Sequence, residues 1–69
     1  MIRNRIKALR YEAGQMSQQA LADEIGVTRQ TANAIEGDKY SPSLEVAFRI
    51  AATFGVGVDD VFDWQPDSD

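Results

Sequence analysis

The stretch Ser17–Glu36, SQQALADEIGVTRQTANAIE, constrains the fold more than any other part of the chain. Ser17 is a good N-cap ahead of an apolar-periodic run, because its hydroxyl can accept from an amide of the first turn. Leu21 and Ile25 lie four apart on one helical face, with Ala22 beside them. Gly26 follows the last periodic residue, where a helix C-terminus favours a residue free to take positive φ. Thr28 can then cap a second helix, so about three residues separate the two. So short a connection forces the helices to meet at a sharp angle.

The flanking segments read as three further helices. Ile2, Ile6, Leu9 and Ala13 follow helical spacing, with Arg3, Lys7 and Arg10 at other angles, and Gly14 ends this first helix. Its basic side chains are read as a solvated face from which some could reach phosphate, and Met16 as a core plug under the following loop. Gly37 to Pro42 is a loop, since Pro42 biases Ser41 away from helix and Gly37 supplies backbone freedom after Glu36. Ser43 caps a fourth helix that carries Leu44, Ala47, Phe48, Ile50, Ala51 and Phe54 on one broad face, and Gly55 ends it. Asp59 and Asp60 open a short fifth helix, where carboxylates favour the positive end of the dipole. Val61 and Phe62 close it onto the core, and the residues from Asp63 onward are expected to be a polar, frayed tail. The reading is an all-α domain of five helices over residues 1–63, with an acidic tail at 64–69.

Composition narrows the chemistry. Sixty-nine residues suffice for one domain with a small core. With no cysteine and no histidine, disulfides, the common zinc sites and cysteine or histidine catalysis are excluded. Nothing pairs a nucleophile with a base, so an enzyme is the weakest reading. The aspartates from Asp59 to Asp69 lack the ligand spacing and turn glycine of a calcium loop. Gly55-Val56-Gly57 follows a helix and lacks the third glycine of a nucleotide fingerprint. No metal or cofactor is therefore expected, nor any small-molecule substrate. No apolar run approaches membrane-spanning length and no signal peptide is recognisable, which leads to the expectation of a cytoplasmic protein.

The net charge of −4 is unevenly spread. Residues 1–42 hold six basic and five acidic side chains, whereas residues 43–69 hold only Arg49 against six acids. The acid thus lies away from the second helix of the opening motif. Two lysines against seven aspartates is a balance that suits a salty cytoplasm, where screening relieves repulsion among the acids.

A helical wheel of 100° per residue from Arg29 divides the helix starting there. Thr31, Ala32 and Ile35 fall between about 200° and 300°, while Arg29, Gln30, Asn33 and Ala34 fall between about 0° and 140°. The second arc is polar, short-stemmed and rich in amides. With the paired-helix frame ahead of it, it reads as a presented surface rather than an ordinary solvent face.

The whole pattern resembles the helix-turn-helix of the Cro and phage-repressor type, the XRE family. The resemblance rests on Ser17, Gln18, Leu21, Ala22, Gly26, Val27, Thr28-Arg29-Gln30-Thr31, Ile35 and Glu36. It continues through Lys39-Tyr40-Ser41-Pro42-Ser43-Leu44, Ile50-Ala51, Phe54-Gly55-Val56 and Asp60-Val61-Phe62. It covers roughly residues 2 to 62 and looks like a short, stand-alone prokaryotic regulator. There are departures. Ala32 stands where the family usually carries Ile or Val, Ala20 where a Glu often completes a capping box with Ser17, and the loop at Gly14-Gln15-Met16 is one residue longer than common.

The resemblance implies double-stranded DNA as the partner, with the third helix in the major groove and the start of the second over the backbone. Gln18 would then meet a phosphate beside free backbone N–H groups. Arg29 has the chemistry for guanine and Gln30 for adenine. Asn33 could reach a base or a phosphate, and Ala34 at most a thymine methyl. Thr28, Thr31, Lys39 and Tyr40 are the remaining expected backbone contacts. Arg10 occupies a family position that often pairs with the acid at Glu36. The expected function is a transcriptional regulator, acting as a repressor that binds a palindromic operator as a homodimer. Val58 and Trp64, which lack obvious internal partners, are the candidate interface residues. A protein-interaction module, such as an antitoxin-like partner, is the alternative, and the acidic half and Trp64 are what favour it.

Overall fold

The computed structural model describes residues 1–66. In order it contains β1 (Ile2–Asn4), α1 (Ile6–Glu12), α2 (Gln18–Ile25), α3 (Arg29–Glu36), α4 (Leu44–Phe54), α5 (Val58–Val61) and β2 (Phe62–Trp64). The all-α expectation of five helices holds, with a two-stranded antiparallel ribbon added where the chain ends meet.

Three helices start on hydroxyl caps. The Oγ of Ser17, Thr28 and Ser43 accepts from the amides of Ala20 (3.0 Å), Thr31 (3.1 Å) and Val46 (3.2 Å). Each satisfies a first-turn N–H that has no partner within its helix, worth about 1 kcal/mol. Gly26 ends α2 at φ 76°, so the chain turns into Thr28 through a conformation that a side chain would strain. In α5 the Asp60 carboxylate accepts from the Gly57 N–H at 3.0 Å, giving that short helix its acidic first turn.

The core is built from one or two aliphatic residues per helix. Ile6, Leu21, Ile25, Ile35, Ile50 and Val61 are almost wholly buried, each contributing about 1.5–3 kcal/mol of transfer free energy. Met16, Val27, Val46, Phe54, Val56, Val58 and Phe62 pack against them half-buried. Met16 thus takes the expected place beneath the loop.

The ends of the chain depart from the sequence reading. Ile2 is not in α1: it lies in β1 opposite Trp64, with Arg3 opposite Asp63 and Asn4 opposite Phe62. Helix α1 starts at Ile6, whose N–H is accepted by the Asn4 Oδ1 at 3.0 Å. Ala13 caps the helix and is exposed rather than buried. A strand occupies Asp63 and Trp64, where a frayed tail was expected, because β1 offers its backbone groups for pairing. The pairing extends to the chain start, where the Gln65 N–H donates to the Met1 carbonyl at 2.7 Å. The rest of the expected tail, residues 67–69, lies outside the described residues.

The broad face of α4 is also only partly internal. Ala47, Ile50 and Ala51 are buried, but Leu44 and Phe48 are 73% and 59% exposed. Val46, left off that face in the sequence reading, packs inward instead.

Candidate nucleic-acid interface

Helix α3 turns its two arcs as its sequence dictates except at Ala34, which the outward arc was expected to expose. Ala32 and Ile35 are buried, Thr31 and Ala34 half-buried, and Arg29, Gln30 and Asn33 exposed. The cap uses both threonine hydroxyls, since Thr28 Oγ1 also donates to Thr31 Oγ1 at 3.0 Å. An anion approaching this turn therefore meets hydroxyls already engaged in shaping the helix start. Ala32, small where the family carries a larger residue, is still 3% exposed, so the core closes over it.

The other end of α3 is held by a buried ion pair. Arg10 Nε and Nη2 donate to the two Glu36 carboxylate oxygens, both at 2.8 Å, in a side-on, two-bond arrangement. Nη1 donates to the Met16 carbonyl at 2.7 Å and so ties down the long Gly14–Met16 loop as well. The bond to Glu36 raises the Arg10 pKa above its ordinary value, against the opposing pull of burial. The guanidinium stays charged at every accessible pH, and Glu36 adds no uncompensated negative charge beside the exposed face of α3.

Asn33 and Gln18, from different helices, line one open groove together with Lys7 and Tyr11 of α1. The groove has a volume of about 720 Å³ and runs between α1 and α3. Tyr11 was not singled out from the sequence, and Lys7 was read only as part of a solvated face from which some basic residues could reach phosphate. Their amphipathic spacing could not reveal which neighbour the polar side would meet. Arg29 and Gln30 stand at the start of α3, outside this groove. Lys39 and Tyr40 are exposed in the loop after α3, with Tyr40 beside Pro42 and the ribbon residues Ile2 and Phe62.

That loop corrects another expectation. Gly37 has an ordinary φ of −83°, and the left-handed residue is Asp38 at φ 61°. The Lys39 N–H returns to the Ala34 carbonyl at 2.9 Å and the Asp38 N–H to that of Ile35 at 3.1 Å. This is a Schellman closure, which requires positive φ one residue beyond the cap and so passes over the glycine.

A family model described as helix-turn-helix matches residues 6–61. This chain belongs to the XRE-type helix-turn-helix family. In a member of that family α2 and α3 are the two helices of the motif, and α3 is its second. An uncharacterized HTH-type transcriptional regulator of Methanocaldococcus jannaschii is 50% identical over 52 residues, covering 75% of this chain and 79% of the relative. Another so described, YgzD of Bacillus subtilis, is 44% identical over 61 residues, covering 88% and 91%. The fold is also similar to a crystal structure of a candidate DNA-binding protein from Bacteroides fragilis. That likeness has a TM-score of 0.79 at 27% identity and covers 91% of this chain and all of the other. No helix among the described residues is long and apolar enough to cross a membrane.

Proposed function

We propose that this XRE-family protein is a sequence-specific transcriptional repressor that binds a palindromic DNA operator as a homodimer. The observation that carries the reading is the outer face of α3. Arg29, Gln30 and Asn33 are exposed side by side on a helix whose two ends are held by Thr28 and by the Arg10–Glu36 pair. A side chain reads base edges only from a fixed backbone, and here Thr28 fixes the start of the helix and the largely buried Arg10–Glu36 pair fixes its end. Arg29 is assigned to guanine and Gln30 to adenine. Asn33 and Gln18, facing one groove, meet a base and a phosphate respectively. Thr28, Thr31, Lys39 and Tyr40 follow the backbone, and Ala34 meets at most a thymine methyl. Repression follows from occupancy of the operator.

An apolar surface away from α3 supports the homodimer. Ile2, Leu44, Phe48 and Trp64 are all exposed, Trp64 to 68%. Ile2 and Leu44 border a shallow hollow of about 330 Å³ with Pro42, Ala47, Val58 and Phe62. Val58 packs partly on its own core, so its outer edge alone remains for a partner. Two copies joined here present their α3 helices to half-sites about 34 Å apart. The same surface favours the second reading, a protein-interaction module with little DNA binding, if it takes a different protein.

Selection of bound sequences from random double-stranded DNA, followed by sedimentation of the protein with and without the selected site, tests the proposal. A two-fold-related site and a dimer are expected. Enrichment of nothing at low salt would favour the interaction module. A monomer on a single unrepeated site would end the palindrome and the dimer.

A further inference from the structure

We infer that Asn4 is a positioning residue for the reading helix: from β1 its side chain closes the C-terminus of α3 and ties that helix to the ribbon. The inference rests on the DNA-reading role proposed for α3. The Asn4 Nδ2 lies 2.9 Å from the Ile35 carbonyl, 3.3 Å from the Glu36 carbonyl and 2.8 Å from Asp38 Oδ1. The Nδ2 has two N–H donors to divide among these three oxygens. Its Oδ1 accepts from the Ile6 N–H at 3.0 Å, so the amide is satisfied on both sides. One side chain therefore joins the strand it sits on, the start of α1, the last carbonyls of α3 and the loop beyond.

Two features make this joint more than a local tie. The last carbonyls of a helix have no partner within it, and an outside donor there sets how the final turn sits. Asp38, which receives the shortest of the three bonds, is held at φ 61°, a region costly for a residue with a Cβ. The Arg10–Glu36 pair grips α3 by a side chain from α1, which leaves the helix a pivot. Asn4 grips its backbone from the ribbon and removes that pivot. The ribbon also carries Ile2 and Trp64 of the proposed dimer surface. A shift of that surface therefore reaches the last turn of α3, which carries Asn33, through the Asn4 amide.

The test uses the full chain and two kinds of variant. Asn4→Ser keeps a short oxygen for the Ile6 N–H but cannot reach α3. Asn4→Asp removes the donor and sets a carboxylate against Asp38, and adding Asp38→Asn restores one donor–acceptor pair in reverse. Amide exchange of Gly37, Asp38 and Lys39 in Asn4→Ser should accelerate about tenfold, as expected for losing one or two hydrogen bonds. The core amides of Leu21 and Ile50 should keep their parental rates. At a temperature where both proteins are fully folded, the ratio of specific to non-specific DNA affinity should fall about tenfold. Preference should relax most at the base pair read by Asn33, with the salt slope unchanged because no phosphate contact is removed. The reversed pair should recover part of both effects relative to Asn4→Asp. Parental exchange at the end of α3, or parental discrimination in folded Asn4→Ser, overturns the inference, since a purely structural role lowers only the melting temperature. A parent protein that enriches no DNA sequence overturns the reading role, and with it the role of Asn4 in reading. Exchange at Gly37–Lys39 then still decides whether Asn4 holds the helix.

Discussion

Helix α3 is held at both ends by side chains of its own chain, whereas α4, capped as well by Ser43, carries an apolar arc that the described residues cover only in part. On a wheel from Leu44, Val46, Ile50, Phe54, Ala47 and Ala51 span about 200° to 340° and face inward. Leu44 and Phe48 continue the arc to about 40° and meet solvent. In α3 the arc opposite the core is mostly polar, and at its end Asn4 donates to the Ile35 and Glu36 carbonyls and Arg10 to the Glu36 carboxylate. The difference separates two kinds of surface. One is fixed in place, which suits the reading role proposed for its polar groups, and the other is apolar and would gain by being covered.

The largest expected effect falls on the fixed surface. Arg10→Ala leaves the Glu36 carboxylate buried without its partner and should cost about 3–5 kcal/mol in urea unfolding. Arg10→Met should cost clearly less when paired with Glu36→Gln, because no charge is then stranded. Equal losses in the two proteins would mean that the ion pair is not what anchors α3.

Next comes the apolar surface. Trp64→Ala should weaken self-association by about 2 kcal/mol or more, as for a central aromatic at an interface, while the stability of the isolated monomer stays within about 0.5 kcal/mol. Sedimentation across a concentration series measures the first and denaturant melts of dilute protein the second. An unchanged dimer would move the interface away from the ribbon and α4.

A third prediction divides the polar surface within itself. Gln30→Ala should cost about 1–3 kcal/mol at the selected operator and relax preference at mainly one base pair. Lys39→Ala should weaken all sequences alike and lower the salt slope by about one. If Gln30→Ala reduces affinity evenly, the base assignment of Gln30 falls. If neither Gln30→Ala nor Arg29→Ala alters binding, α3 is not the reading helix.

The smallest effect concerns salt. Residues 43–69 carry six acids against Arg49, so raising potassium chloride from dilute to molar should lift the melting temperature by a few degrees, roughly 1 kcal/mol or less. DNA affinity should fall over the same range. A melting temperature that does not rise would remove the idea that this acidity suits a salty cytoplasm.

Much of the motif was legible because its rules are short-ranged. Ser17, Thr28 and Ser43 cap amides three residues ahead, and Gly26 and Gly55 take the left-handed conformation where the periodic runs stop. The inner and outer arcs of α3 follow from 100° per residue alone. Arg10 and Glu36, 26 residues apart, were paired through the family resemblance and not through any local pattern. Asn4 had only its cap of Ile6 within local reach. Its other partners lie more than 30 residues away.

The sequence by itself determined five helices, the hydroxyl caps of α2, α3 and α4, the polar arc of α3 and the segregation of acid toward the C-terminal half, because each depends on neighbours within one or two turns. Only the tertiary structure decided that Ile2 leaves the first helix to pair with Trp64, that Leu44 and Phe48 stay outside, and that Asp38 rather than Gly37 turns left-handed. Each of those outcomes depends on which distant backbone or side chain arrives to pair with or cover the residue. That is settled only when Ile6, Ile35, Ile50 and Val61 close into one core and bring the two ends of the chain together.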